Sequence, residues 1–257
     1  MTVTTAALHC SPATLPLPCF SLPRAGAIGN VRAITLRPGS REAPRAVAEA
    51  AAVAGSGLAG DIHADPLSPR QVLLAGTPAY ARHALAPHTL RENLLLDVDT
   101  SDFASGTLLR VGCEVVLQLT FACEACGYLD AHAPGLAGRI GRARGMLARV
   151  VAGGIIRAGD PIVPWEGSRG PEHPAGAPPI TWSDDWRERV TAILARVPAG
   201  MAVDYRQLAR LAGVQTVYCR AFPRLARSLG LAHAAVSMHG ASDVPRWDGR
   251  ELFGEPE

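Results

Sequence analysis

Between residues 30 and 164 the chain alternates short apolar runs with breaks marked by Gly and Pro. The runs occupy residues 31–36, 71–75, 93–98, 108–111, 114–120, 146–151 and 161–163, each of strand length. Val115, Leu117 and Leu119 alternate with Val116, Gln118 and Thr120, so this run has one apolar and one mixed face. Gly112 breaks it from the preceding run, which predicts a hairpin. Long crossover helices are scarce, with residues 77–85 the one helix expected between strands. Many short strands so connected predict a closed or nearly closed barrel rather than a parallel sheet.

The pattern changes at EGSRGPEHPAGAPP, where nothing could bury a face. Residues 166–180 are therefore read as a linker between a barrel at 29–165 and a helical domain at 181–257, with 1–28, rich in Pro and small residues, as a poorly ordered lead. Beyond the linker Ser183 is placed as the cap of a helix whose first turn carries Asp184 and Asp185, and whose apolar stripe is Trp186, Val190, Ile193, Leu194 and Val197. Residues 205–211 and 217–229, each closed by a glycine, form two further helices about a tight turn, and Pro223 fits only in the first turn of the last. The fold class expected is α+β: a β-rich barrel followed by a small helical domain with a winged helix-turn-helix-like arrangement.

All 25 basic residues are arginine, so no side chain can form a lysine Schiff base and no covalent pyridoxal phosphate is expected in this chain. A net charge of +2 confines any nucleic-acid contact to a local patch. No stretch approaches the roughly 18 apolar residues of a membrane span and no secretory leader is evident, which points to a cytoplasmic protein. Six cysteines at irregular positions favour thiols over a disulfide framework. Only Cys123 and Cys126 form a motif. Half a zinc site, a redox dithiol and two buried small residues all remain open for it, although a zinc site wants a second pair that is absent.

Around that pair stand GLAGDIHAD (57–65), RQVLL (70–74), LRENLLLD (90–97), LRVGCEVVLQLT ahead of the cysteines, and GLAGRIGRARGMLARVVAGGIIRAGDPI (135–162). In this order and spacing they resemble the MOSC family, the C-terminal domain of molybdenum cofactor sulfurases, over roughly 130 residues. The resemblance implies a β-barrel that carries a persulfide or binds molybdenum cofactor (molybdopterin) through a cysteine. Cys126 is the implied sulfur carrier or metal ligand and Cys123 its neighbour or resolving partner. Asp61, His63, Arg70, Arg91 and Asn93 are the implied cofactor-binding residues. For Asp61 and His63 a turn-stabilising role stays open beside that of ligand, and for Arg70 and Arg91 a structural ion pair stays open beside a phosphate contact. Arg139, Arg142, Arg144 and Arg149 read as a solvated basic face before a phosphate patch.

The string RVTAILARVPAGMAVDYRQLARLAGV, then YCRAF, resembles over about 60 residues the DNA-binding domain of methylated-DNA cysteine methyltransferases and their alkyltransferase-like relatives. The implied DNA-binding residues are Tyr205, Arg220 and His233. Ala232 stands where the nucleophilic cysteine would be, so alkyl transfer is excluded. With that cysteine missing, His233 reads as a core histidine and Cys219 as a buried small residue.

Two functions follow as expectations. One is a MOSC-type protein in sulfur transfer or in reduction of N-hydroxylated compounds, with a cysteine desulfurase or an external reductase as partner, since no flavin, nicotinamide or iron–sulfur signature is present. The other is a non-enzymatic sensor of alkylated duplex DNA with the barrel as accessory.

Overall fold

The computed structural model describes residues 26–167, 180, 182–237 and 243–253; the lead at 1–28 and the linker at 166–180 fall largely outside them. Among the described residues, eleven strands precede the helical unit: β1 (Gly29–Leu36), β2 (Arg45–Val47), β3 (Glu49–Val53), β4 (Gly57–Leu58), β5 (Val72–Gly76), β6 (Leu94–Leu96), β7 (Leu108–Val111), β8 (Val115–Ala122), β9 (Met146–Ala152), β10 (Gly154–Arg157) and β11 (Pro161–Pro164). Hydrogen bonding runs β11-β7-β8-β9-β5-β6-β1 and returns from β1 to β11, so seven strands close a barrel, with β2 an edge added to β1. Closure rests on Gly29 opposite Ile162 and Asn30 opposite Pro161. The expected hairpin is present, with Val111 opposite Val115 and Gly112 at φ 63 between them.

Helix α1 (Thr77–His83), with proline in its first turn, lies between the parallel strands β5 and β6. Strands β10, β3 and β4 form a small separate sheet. The barrel is filled by Ile34, Leu74, Leu94, Leu117, Leu119 and Val150 among others, each almost wholly shielded from solvent. Burying such side chains contributes about 1.5–3 kcal/mol apiece before chain entropy is counted.

One irregularity decides where the cysteines go. Val115, Leu117 and Leu119 face the barrel core, and a register shift in the β8–β9 ladder between Leu119 and Ala122 then turns Phe121 and Cys123 outward into a second core. This bulge re-aims the end of β8 away from the barrel interior.

The second core belongs jointly to the barrel and to the helices that follow. Helix α3, labelled after the short α2 (Leu136–Arg139), runs Trp186–Leu194; α4 is Tyr205–Ala212 and α5 Phe222–Ser228. Val190, Ile193, Leu208, Leu211 and Phe222 pack with Leu67, Leu73, Phe121 and Leu147 of the barrel. The mixed face of β8 is therefore covered: Val116 is 6% and Thr120 0% exposed, and the Thr120 hydroxyl donates to the Pro69 carbonyl.

Several details of the helical unit differ from expectation. The cap of α3 is Asp185, which accepts from the Arg187 amide, while Ser183, two positions earlier, accepts from the Asp185 amide. The expected last helix is split into a 3₁₀ segment over Thr216–Ala221 and α5, which carries Pro223 in its first turn. Strands β12 (Val203–Asp204) and β13 (Ala235–Val236) add a two-residue parallel ladder. Among the described residues, no helix is long and apolar enough to cross a membrane.

Candidate functional site

A cavity of about 160 Å³ opens beside the loop that follows β8. Cys123 and Cys126 both line it as free thiols, Cys123 buried and Cys126 partly exposed. Cys113, at the β7–β8 turn, is disulfide-bonded, so the reading of thiols throughout does not hold there.

The base of the site is a hydrogen-bond network around Asp61, whose side chain is fully shielded. Its carboxylate accepts from the Arg37 amide at 2.8 Å, the His63 amide at 2.8 Å, His63 Nδ1 at 2.9 Å and Asn93 Nδ2 at 2.9 Å. Asn93 also accepts from the Leu73 amide and donates to the Thr35 carbonyl, tying β1 to β5. Asp61 therefore serves as the turn-stabilising residue and does not itself line the cavity. Since an ionised carboxylate only accepts, His63 Nδ1 carries hydrogen toward it, and Nε2 is the acceptor nitrogen of the neutral ring.

Four guanidinium groups line the cavity: Arg37, Arg70, Arg91 and Arg144. Burial lowers the Arg37 pKa, nearby Arg91 lowers it further, and Asp61 partly offsets both. Arg144 is 5% exposed; it donates to the Leu90 carbonyl, but its buried Nε has no partner. Arg91 sits at φ 56, a left-handed conformation that costs a non-glycine residue about 1–3 kcal/mol, and its guanidinium lies 4.8 Å above the Tyr128 ring. Arg70 reaches the Gly213 carbonyl at 3.1 Å with one nitrogen and Cys123 Sγ at 3.9 Å with the other. An unpartnered buried donor and mutually repelling cations define a place for an anion.

Glu124, inside the Cys-x-x-Cys loop, lines the same cavity. One of its oxygens accepts from Arg189 at 3.1 Å, and the other is buried without a partner. Gln215 is the helical unit's residue in the cavity wall.

The structure thus brings together His63, Arg70, Arg91, Asn93, Cys123 and Cys126, with Asp61 beneath them. It adds Arg37, Glu124, Tyr128 and Gln215, which sequence reasoning missed, and Arg144, which the sequence placed on a solvated face before a phosphate patch. The four arginines from 139 to 149 do not form one solvated face: Arg139 and Arg142 are exposed, but Arg144 and Arg149 are buried, and Arg149 donates to the Pro66 and Ser68 carbonyls.

Residues 70–163 match the MOSC domain. The matched segment begins at Arg70 and ends on β11, so it contains both cysteines, Arg91, Asn93 and Arg144, while Arg37, Asp61 and His63 precede it and Gln215 follows. No curated protein matches the chain. Solved structures that resemble it include YuaD from Bacillus subtilis, 16% identical over 52% of this chain and 93% of that one, with a TM-score of 0.45. YiiM from Escherichia coli is 20% identical over 78% and 94%, at 0.43, and YiiM from Geobacillus stearothermophilus 16% identical over 77% and 98%, also at 0.43. Among the described residues, no three His, Cys, Asp or Glu side chains group as a metal set.

The residues expected to meet DNA do not line this cavity. Tyr205 is half-buried, its ring edge-on to Phe222 at 6.2 Å. Arg220 is exposed, on the 3₁₀ segment rather than a continuous recognition helix. His233 is exposed, which corrects its reading as a core histidine, and Cys219 is half-buried, donating to the Tyr205 carbonyl. Arg210 of α4 is bound through Nε and Nη2 to Asp65 of the barrel.

Proposed function

We propose that this chain is a MOSC-type protein whose cavity binds an anionic, thiophilic group, either molybdenum cofactor or sulfane sulfur carried on Cys126. The reading rests on one observation above all: two free thiols, one of them solvent-accessible, share a small cavity with four guanidinium groups. A thiolate is both a sulfur nucleophile and a soft metal ligand, and guanidinium is suited to phosphate or oxyanion.

The donor set fits the cofactor. Cys126 would hold the metal, Arg37, Arg91 and Arg144 its anionic groups, and the free oxygen of Glu124 a ligand N–H. At about 160 Å³ the enclosed space is below the roughly 300–1,000 Å³ of sites that enclose a drug-sized ligand, so part of such a cofactor would lie over the mouth. When bound, the group supplies a metal centre for sulfur transfer or for reduction of an N-hydroxylated compound. The chain's own part is to bind and orient: Asp61 fixes His63 and Asn93, Arg70 lies against Cys123, and Tyr128 supports Arg91. Without lysine, sulfur would come from a separate desulfurase, or electrons from a separate reductase.

The test is elemental and labile-sulfur analysis of wild type and Cys126→Ala, both purified from a molybdenum-replete host. Molybdenum or sulfane sulfur is expected at near one equivalent in wild type, falling at least about tenfold in the variant, as loss of a sole thiolate ligand implies. Neither element in wild type would defeat the reading.

A further inference from the structure

Several contacts between the helical unit and the barrel meet at the cysteine loop. Arg189 of α3 is 0% exposed, and each of its three guanidinium nitrogens donates a hydrogen bond. Nε donates to the Ala212 carbonyl at 2.9 Å and Nη1 to the Ser183 and Asp184 carbonyls at 2.6 and 3.0 Å, all within the helical unit. Nη2 alone leaves that unit, reaching Glu124 between the two cysteines at 3.1 Å. The same guanidinium stacks 3.7 Å above the ring of Phe121, the residue that the β8 bulge turns outward.

Four further contacts stand on either side. Asp184 accepts from the Ala122 amide at 2.7 Å with one oxygen and pairs with Arg142 through the other. Gly213, at φ 61, approaches so closely that an added Cβ would lie 2.6 Å from Phe121 Cζ and from Pro69 Cγ. Its carbonyl holds Arg70, whose other nitrogen faces Cys123. An Arg buried at a joint and bonded to carbonyls of one side is a rigid strut, because every donor has a fixed direction.

We propose that the helical unit is the fixed roof of the cysteine cavity and that Arg189, acting through Glu124, is the positioning residue that sets the Cys123–Cys126 loop. The site is then incomplete without residues 182–237, and the helices serve the barrel's chemistry. This inference rests on the chain's own contacts and holds whichever group the cavity binds. Arg189→Met keeps the length and packing of the stem but leaves Glu124 and three carbonyls without their donor. Arg189→Lys keeps a cation that reaches Glu124.

The experiment is iodoacetamide labelling of the full chain under native conditions, with rates for Cys123, Cys126 and Cys219 resolved by peptide mass spectrometry. Cys219, which does not line the cavity and whose thiol is bonded to the Tyr205 carbonyl, is the internal reference for general opening. In Arg189→Met the Cys123 rate relative to Cys219 is expected to rise at least about tenfold, as release of a local segment produces, and Arg189→Lys to return within about threefold of wild type. An unchanged ratio in Arg189→Met, or Arg189→Lys behaving like the methionine variant, overturns the proposal. Should Arg189→Met not fold, Asp184→Ala decides on the protein's outer surface. A rise of about threefold in the same ratio supports the strut, and a wild-type ratio refutes it.

Discussion

Asp61→Ala is expected to lower the free energy of unfolding by about 3–5 kcal/mol, because it strands several buried donors at once and each unsatisfied group costs about 1–3 kcal/mol. The Arg37 and His63 amides and Asn93 Nδ2 all lose their acceptor, and the Asn93 side chain also ties Leu73 to Thr35. For a chain of this size, that corresponds to a fall of roughly 10 °C in Tm. Burial alone would raise the Asp61 pKa, but the bond from the His63 ring and those from the Arg37 and His63 amides outweigh it and hold the pKa below its ordinary 3.8. A group depressed on folding stabilises the native state above its unfolded pKa, and that contribution is lost as pH falls through the folded value. Wild type should therefore lose urea resistance as pH drops below about 4. Asp61→Ala should start lower at pH 7 and lose less over the same range. A variant as stable as wild type at pH 7 would show that the network is not what holds the base of the site.

The strands that the sequence displays are those whose residue types already favour extended chain. β7 and β9 begin where the hydrophobic runs begin, and β8 ends two residues beyond its run. β2, β3, β4 and β10 escape such reading. β3 is EAAAV, with Ala50 and Ala52 buried, and alanine carries little strand preference. Its extended form comes from pairing with β10, a partner about a hundred residues away. Local pattern cannot contain that information.

The site divides along the same line. Cys123, Cys126, His63, Arg70, Arg91 and Asn93 stand in motifs and converge. Arg37 follows an apolar strand with nothing to distinguish it, and its place depends on a carboxylate 24 residues later. Arg144 belongs to a run whose spacing suggests a solvated face, yet its helical turn points it beneath Leu90. Glu124 is the variable residue of a Cys-x-x-Cys motif, and Gln215 comes from beyond the linker. The periodicity of α3 and α4 is legible, but their docking is not: Leu208 and Leu211 would read identically in a free helical module. The bulge in β8, the close approach of Gly213 and the fully buried Arg189 help to fix the docking, each visible only in three dimensions.

Gly145→Ala is the second large effect, and it acts through backbone. Gly145 has φ 115 and ψ 174, a region essentially reserved for glycine, where another residue costs about 1–3 kcal/mol. An added Cβ would lie 2.4 Å from the Leu74 carbonyl oxygen and 3.3 Å from its carbon, so β9 would be driven off β5 just where Met146 pairs with Leu74. Strain and overlap together are expected to remove about 3 kcal/mol or more. The same residue's carbonyl accepts from the Cys123 amide at 2.8 Å, which gives the displacement a chemical consequence. Amide exchange at Cys123 should accelerate beyond the change in global stability. Gly106→Ala separates the two causes: Gly106 has φ 83 but nothing within 4 Å of the added carbon, so it should lose only about 1–2 kcal/mol. Thermal unfolding followed by circular dichroism, with exchange at Cys123 measured in all three proteins, distinguishes contact from conformation. If the two alanine variants were equally stable, the close approach to Leu74 would not be limiting. If Gly145→Ala alone exposes Cys123, the turn before β9 is the barrel's own support for the thiol, facing the one that Arg189 supplies from the helices.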